Sequence, residues 1–232
     1  MYPLTWQSDA VTDGAGLLAK SYTGWLDDAR RGLYPMATRS IDLVASFTGL
    51  VLLLPLFALV TLWIRLDSPG PVLFSQVRIG RRGRPFRCWK FRSMYMDAEV
   101  RKNALMDDNE MEGGTTFKMK RDPRITRVGR FIRKASIDEL PQLWNVFTGD
   151  MALVGPRPPV PAEVAVYGAE QRKRLSVKPG ITCIWQVTGR SDIPFEQQVA
   201  LDLQYISERS LWLDIKIWLM PVPAVLFARG AY

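Results

Sequence analysis

From Leu43 to Ile64 the chain runs 22 residues without a charge, "LVASFTGLVLLLPLFALVTLWI". At about 1.5 Å per helical residue this is long enough for a hydrocarbon layer of about 30 Å. Pro55, near the middle, removes a backbone donor and crowds the preceding turn, so the pattern predicts two helical halves meeting at a break. Past the run, "VLFSQVRIG" and "RPFRCWKFRSM" flank "RRG" and predict a β-hairpin. "MDAEVRKNALMDD" predicts a polar helix and "NEMEGGTTF" a loop, while "DPRITRVGRFIRKA" carries apolar and basic residues at helical spacing. "GDMALVGPRPPVPAEV" reads as a Gly- and Pro-punctuated loop, "AEVAVYGAEQRKRLSV" as one helix, and "KPGITCIWQVTGRSDIP" as a second loop with a short extended stretch. "FEQQVALDLQYISERS" predicts a helix. "LWLDIKIWLMPVPAVLF" predicts a segment lying along a membrane interface or in the core, its uncharged run being too short to cross. Residues 1 to 20 read as a polar leader, and "AKSYTGWLDDARRGLYPMATR" as a helix in the headgroup region.

Charge changes the reading of the apolar run. Arg30, Arg31 and Arg39 precede it, and Arg65, Arg78, Arg81, Arg82 and Arg84 follow it. Basic flanks prefer the cytoplasmic side, so both ends favour the same face and the run is read as re-entrant. A kinked crossing helix stays open on physical grounds alone. The run begins too late, and lacks the small-residue site, for a cleaved signal peptide.

Composition narrows the chemistry. Lys and Arg number 31 against 23 Asp and Glu, a net charge of +8 that suits polyanionic partners. There is no His, which excludes Ser-His and Cys-His relays and imidazole ligation. The two Cys, Cys88 and Cys183, lack the spacing of a zinc site or a disulfide framework. No phosphate-binding P-loop motif is present. Catalysis must therefore run on carboxylates, Lys, Arg or Tyr.

Against this basic background, "SIDELPQLWNV" sets Asp138 and Glu139 side by side. The local pattern favours a capping box, in which Ser136 caps a helix and Glu139 returns a bond to it. The neighbourhood points elsewhere: Arg130, Arg133 and Lys134 precede the pair, so a phosphate could be held beside an ionised carboxylate. Such a carboxylate can attack phosphorus, and a divalent metal shared with phosphate oxygens relieves the repulsion of two anions.

The ordered set "KFRSM" (90–94), "SIDELPQLWNV" (136–146), "GDMALVGPRP" (149–158), "KPGIT" (178–182) and "WQVTGR" (185–190), behind a Pro-broken apolar segment, resembles the bacterial monotopic phosphoglycosyl transferases. The resemblance covers residues 35 to 232. It implies transfer of a sugar 1-phosphate from a UDP-sugar to undecaprenyl phosphate, with Mg2+, at the cytoplasmic face of the bacterial inner membrane. It also implies an α+β fold in three parts: a leader (1–34), a re-entrant helix broken at Pro55 (35–66), and a compact cytoplasmic catalytic domain (67–232). That domain is expected to be mostly helical, with a short β-hairpin and interfacial amphipathic helices.

By the same resemblance Asp138 is the nucleophile and Glu139 its partner, both candidates for the metal. Lys90, Arg92, Arg133, Arg157, Lys178, Gln186, Arg190 and Asp202 match positions expected to bind substrate. Two departures stand out: Leu54 replaces the Ser that commonly precedes the breaking Pro, leaving Ser46 or Thr48 to satisfy the freed carbonyl, and "TCIWQV" replaces "TGWAQV". Glucose and galactose both suit the exopolysaccharide-type pattern, and a homo-oligomer is left open. Competing readings are a membrane adaptor binding acidic lipids through its Arg-rich face and a tethered nucleic-acid binder. The latter lacks regularly spaced aromatic platforms, so "RIGRRGRP" reads as a solvated turn and nucleic acid is not expected as a partner.

Overall fold

The computed structural model describes residues 33–104, 119, 122–188 and 193–220. The leader, most of the proposed headgroup helix, the "NEMEGGTTF" loop and Arg190 lie outside the described residues.

The apolar run forms two helices, α1 (Leu33–Leu52) and α2 (Leu54–Asp67), bent by 58° at the break. No single described helix is long and apolar enough to cross a membrane. Pro55 sits in the first turn of α2, where a missing N–H costs no helical bond. The backbone carries on around it: Leu53 N donates to Gly49 O at 3.0 Å and Phe57 N to Leu53 O at 2.8 Å. Of the candidate hydroxyls, Ser46 Oγ donates to Asp42 O (2.5 Å) and Leu43 O (3.3 Å), a turn too early to serve the break. Val44, Phe47, Leu52, Leu54 and Leu62 remain exposed along the pair.

Each arm is locked to the remainder by polar residues that the apolar pattern hides. On α1, buried Asp42 accepts from Leu153 N (3.0 Å), and Tyr34 donates to Asp214 (2.7 Å). Arg39 donates to Val146 O (2.6 Å) and Phe147 O (2.8 Å). On α2, Val60 and Ile64 pack with Phe91 and Ile132 in one of two hydrophobic clusters among the described residues.

Strands β1 (Leu73–Ile79) and β2 (Pro85–Phe91) pair antiparallel with Leu73 opposite Phe91, joined through a 3-10 turn at Arg81–Gly83. The expected hairpin is present. Helix α3 (Ala98–Ala104) matches the polar helix, and α4 (Arg127–Lys134) the basic one. Thr126 Oγ1 and Asp67 Oδ2 cap α4 by accepting from Gly129 N and Val128 N. Gly129 lies so close to Ser93 that a Cβ there would strike the Ser93 carbonyl. Gly129→Ala should therefore lift α4 off the strand end and destabilise by about 3 kcal/mol, read by thermal unfolding in detergent.

After α5 (Gln142–Thr148) the two expected loops hold more structure than the punctuation suggested. Strands β3 (Ala152–Val154) and β4 (Gly180–Thr182) pair in parallel, and helix α8 (Ile184–Thr188) follows. Gly155 and Gly180 approach main chain to main chain, leaving no room for a side chain at either. These glycines permit strand contact, and β4 supplies the short extended stretch expected in the second loop. The single helix expected over 162–177 is instead α6 (Pro161–Ala165), α7 (Ala169–Arg172) and a 3-10 turn (Lys173–Ser176). Helix α9 (Phe195–Glu208) and α10 (Leu211–Leu219) close the described chain. On α10 Leu213 and Ile217 are buried while Trp212, Ile215 and Trp218 are exposed, an apolar outer face of interfacial character. The main core gathers Val146, Met151, Leu153, Tyr205, Leu213 and Ile217.

Candidate active site

Asp138 and Glu139 lie in a three-residue 3-10 turn, Ile137–Glu139, between α4 and α5. The capping box is not formed. Ser136 takes a left-handed conformation (φ 55°) and its side chain caps nothing. Ser136 is one of two non-glycine residues with positive φ among those described, a cost on the order of 1–3 kcal/mol that clusters at functional positions. Helix α5 starts only at Gln142, so the pair has no helix N-terminus of its own.

Glu139 is held across the fold by Lys90 on β2: Nζ donates to Oε1 at 2.6 Å, with side chains 22 % and 26 % exposed. Burial works to raise the Glu139 pKa, but Lys90, Arg157 and Arg78 overrule it and bring it down to about 2. Asp138 is buried at 8 % exposure and moves the other way, up to about 6. Burial is the main cause, the Glu139 charge adds to it, and Lys90 and Arg133 only partly offset it. Two adjacent carboxylates thus have opposite properties. One is permanently charged and tethered; the other ionises close to neutrality. Divergent pKa values in one site are a mark of assigned acid, base or nucleophile roles.

The remaining expected residues divide. Arg133 is exposed one turn before Asp138 and Arg157 lies beyond β3, and both bear electrostatically on the pair. Arg92 does not. It is buried, and its guanidinium donates to Ser68 O (2.6 Å), Ser68 Oγ (2.9 Å) and Pro69 O (2.9 Å), capping the C-terminal end of α2. Asp202 is likewise structural: at 1 % exposure it pairs with Arg174 (2.6 Å), which also donates to Tyr167 Oη (2.8 Å). Gln186 accepts from Cys183 Sγ at 3.0 Å. The charged neighbours of Lys178 are Arg39, Asp42, Arg81 and Asp150, none of them in the carboxylate pair.

Arg78 was passed over, having been read into the solvated "RIGRRGRP" turn. It is partly buried on β1, donates to Pro158 O (2.8 Å) and Gln76 Oε1 (2.7 Å), and lowers the Glu139 pKa. Its position inside an alternating strand, before the turn, was the available signal.

The donor set bears on the expected metal. Among the described residues no group of three or more His, Cys, Asp or Glu converges. A protein-only cage is thus not built, while Mg2+ typically takes one or two carboxylates and completes its shell with water and substrate phosphates. Asp138 and the oxygen of Glu139 not bonded to Lys90 fit that demand.

A carboxylate pair of split acidity, with Lys90, Arg78, Arg133 and Arg157 acting on it, lies in a fold that also carries a bent apolar helix pair. Residues 33–228 match the family described as bacterial sugar transferase, and the chain belongs to that family. It is 50 % identical over 197 residues to the galactosyl transferase CpsE of Streptococcus agalactiae, and 45 % identical over 198 residues to the undecaprenyl-phosphate galactose phosphotransferase of Salmonella typhimurium. These alignments cover 84 % of this chain but only 43 % and 41 % of those proteins. The chain therefore spans under half their length. The exopolysaccharide production protein ExoY of Rhizobium meliloti is 40 % identical over 207 residues, with 88 % of this chain and 92 % of that protein covered.

Proposed function

We propose that the protein transfers a hexose 1-phosphate from a UDP-sugar to undecaprenyl phosphate, releasing UMP, as the first membrane step of exopolysaccharide or glycoconjugate synthesis. The single observation that carries this is the pairing of a buried Asp138, ionising at about pH 6, with a Glu139 held charged by Lys90. The Asp138 carboxylate attacks the sugar-bearing phosphorus, the bond from that phosphorus to the bridging oxygen breaks, and UMP departs with that oxygen. An oxygen of the lipid phosphate then attacks the same phosphorus and expels the carboxylate, leaving the sugar on a lipid diphosphate. Arg133 and Arg157 offset the negative charge that gathers in both steps. When bound, Mg2+ would be held by Asp138 and Glu139 and would neutralise diphosphate charge. Relatives named for galactose and relatives named for glucose both match, so both sugars belong in the panel.

Purified protein with Mg2+, a panel of UDP-sugars and polyprenyl phosphate is expected to release UMP, and to stop on addition of chelator. A panel without release from any nucleotide sugar sinks the reading. Activity should fall below about pH 6, because protonation removes the attacking lone pair of Asp138. An acid limb near pH 4 would point to a carboxylate other than Asp138.

For the membrane, we propose that α1 and α2 enter and leave by the cytoplasmic face. The 58° bend at Pro55 and the basic residues at both ends support this. Cysteines introduced before Leu33 and after Asp67 should both resist labelling from the periplasmic side; labelling of one flank alone would indicate a crossing helix.

A further inference from the structure

Among the described residues, strand β2 pairs with β1 along one edge only. On its other edge a side chain stands in for a third strand. Asn145, 1 % exposed on α5, accepts from Trp89 N through Oδ1 (3.0 Å) and donates through Nδ2 to Arg87 O (2.7 Å). One carboxamide thereby reproduces the donor and acceptor that a neighbouring strand would offer. The two bonded residues lie one and three positions before Lys90, and α5 follows the Asp138–Glu139 turn after Leu140 and Pro141. Asn145 is thus the polar tie between the strand that carries Lys90 and the helix continuing from Glu139, across sequence separations of 56 and 58 residues.

We infer that Asn145 is a positioning residue of the active site, setting the register of β2 against α5 so that Lys90 reaches Glu139. Packing alone would not do this, because apolar contacts tolerate sliding whereas a two-point amide bond to the backbone has one register. An apolar residue in its place would leave Trp89 N–H and Arg87 C=O, both part-buried, without this partner. Without the tie Lys90 loses its set reach, and its 2.6 Å bond to Glu139 is no longer held.

The inference rests on the proposed role of the carboxylate pair, so its test includes a readout that needs no turnover. In full-length protein in lipid nanodiscs, the distance from the Lys90 ammonium nitrogen to the Glu139 carboxyl carbon, measured by 13C–15N dipolar recoupling NMR, is expected to lengthen beyond hydrogen-bond range in Asn145→Ala. UMP release in Asn145→Ala should fall about ten- to a hundredfold in kcat, and the losses of Asn145→Ala and Lys90→Met should not multiply. A folded Asn145→Ala that keeps the wild-type Lys90–Glu139 distance, or multiplying losses, overturns the inference. Should Asn145→Ala fail to fold, Asn145→Ser, able to make one of the two bonds, provides the same comparison and is expected to lengthen the distance by less. Absence of UMP release in the wild type would count against the transferase reading alone, since the distance still decides the role of Asn145.

Discussion

Asp138→Asn should abolish UMP release, by at least about 10³-fold, and should do so while making the protein more stable. An amide cannot form the bond to phosphorus, so the covalent route closes altogether. The stability gain follows from the sign of the pKa shift. Asp138 ionises at about 6 in the fold, above its ordinary value of 3.8. Between those values the native state binds more protons than the unfolded chain, so this group's contribution falls as pH rises through that window and the ionised side chain is a cost at pH 7. A neutral, nearly isosteric amide removes the cost, on the order of 1–3 kcal/mol. Glu139 has the opposite sign: its depressed pKa contributes stability that is present above about 4.5 and lost as pH falls toward 2. Turnover assays and thermal unfolding of the same preparations measure both effects. Persisting turnover in Asp138→Asn would rule out the aspartyl route, and a lower melting temperature would contradict its burial cost.

Arg174→Met should destabilise by about 3 kcal/mol at pH 7 without touching the carboxylate pair. Asp202 is 1 % exposed, and the Arg174 guanidinium donates to it at 2.8 and 2.6 Å while lying over the Tyr167 and Phe195 rings. Even so paired, Asp202 is raised to about 6, chiefly by burial. The Trp185 indole N–H, near enough to lower that value, makes no hydrogen bond of good geometry, and Asp202 Oδ1 is unsatisfied. Removing the guanidinium pushes the carboxyl higher still, so the deficit relative to wild type should grow as pH rises from about 6 toward 8 and shrink as Asp202 takes up a proton. Asp202→Asn has no such titration, because arginine cannot shed its charge. Chemical unfolding at pH 5.5 and 8 separates the two variants; equal deficits for Arg174→Met at both values would mean that Asp202 stays neutral throughout.

These two carboxylates show how far residue-level reading reached. Asp138 was expected as the nucleophile and Asp202 at substrate; Asp138 lies beside Glu139 in a 3-10 turn, and Asp202 under a buried arginine 28 residues away. The capping pattern at Ser136 failed for a related reason. A capping box is a local bargain, and Lys90, 49 residues from Glu139, offers that carboxylate a charge-assisted bond that a backbone N–H cannot match. Arg92, expected at substrate, is bonded at the end of α2, because a basic residue after a strand has the same spelling whether it faces substrate or closes a helix end.

What the sequence determined was whatever depends on near neighbours. Pro55 within 22 uncharged residues dictates a bent apolar helix pair, "RRG" between alternating stretches dictates a hairpin, and the absence of His confines chemistry to carboxylates and cations. The tertiary structure decided which cation reaches which carboxylate, that Gly155 and Gly180 bring two strands together, and that Asn145 completes the open edge of β2. The physical reason is range. Helical spacing and turn chemistry act over a few residues, whereas burial and charge pairing act through space and set a pKa by who arrives, wherever in the chain it began.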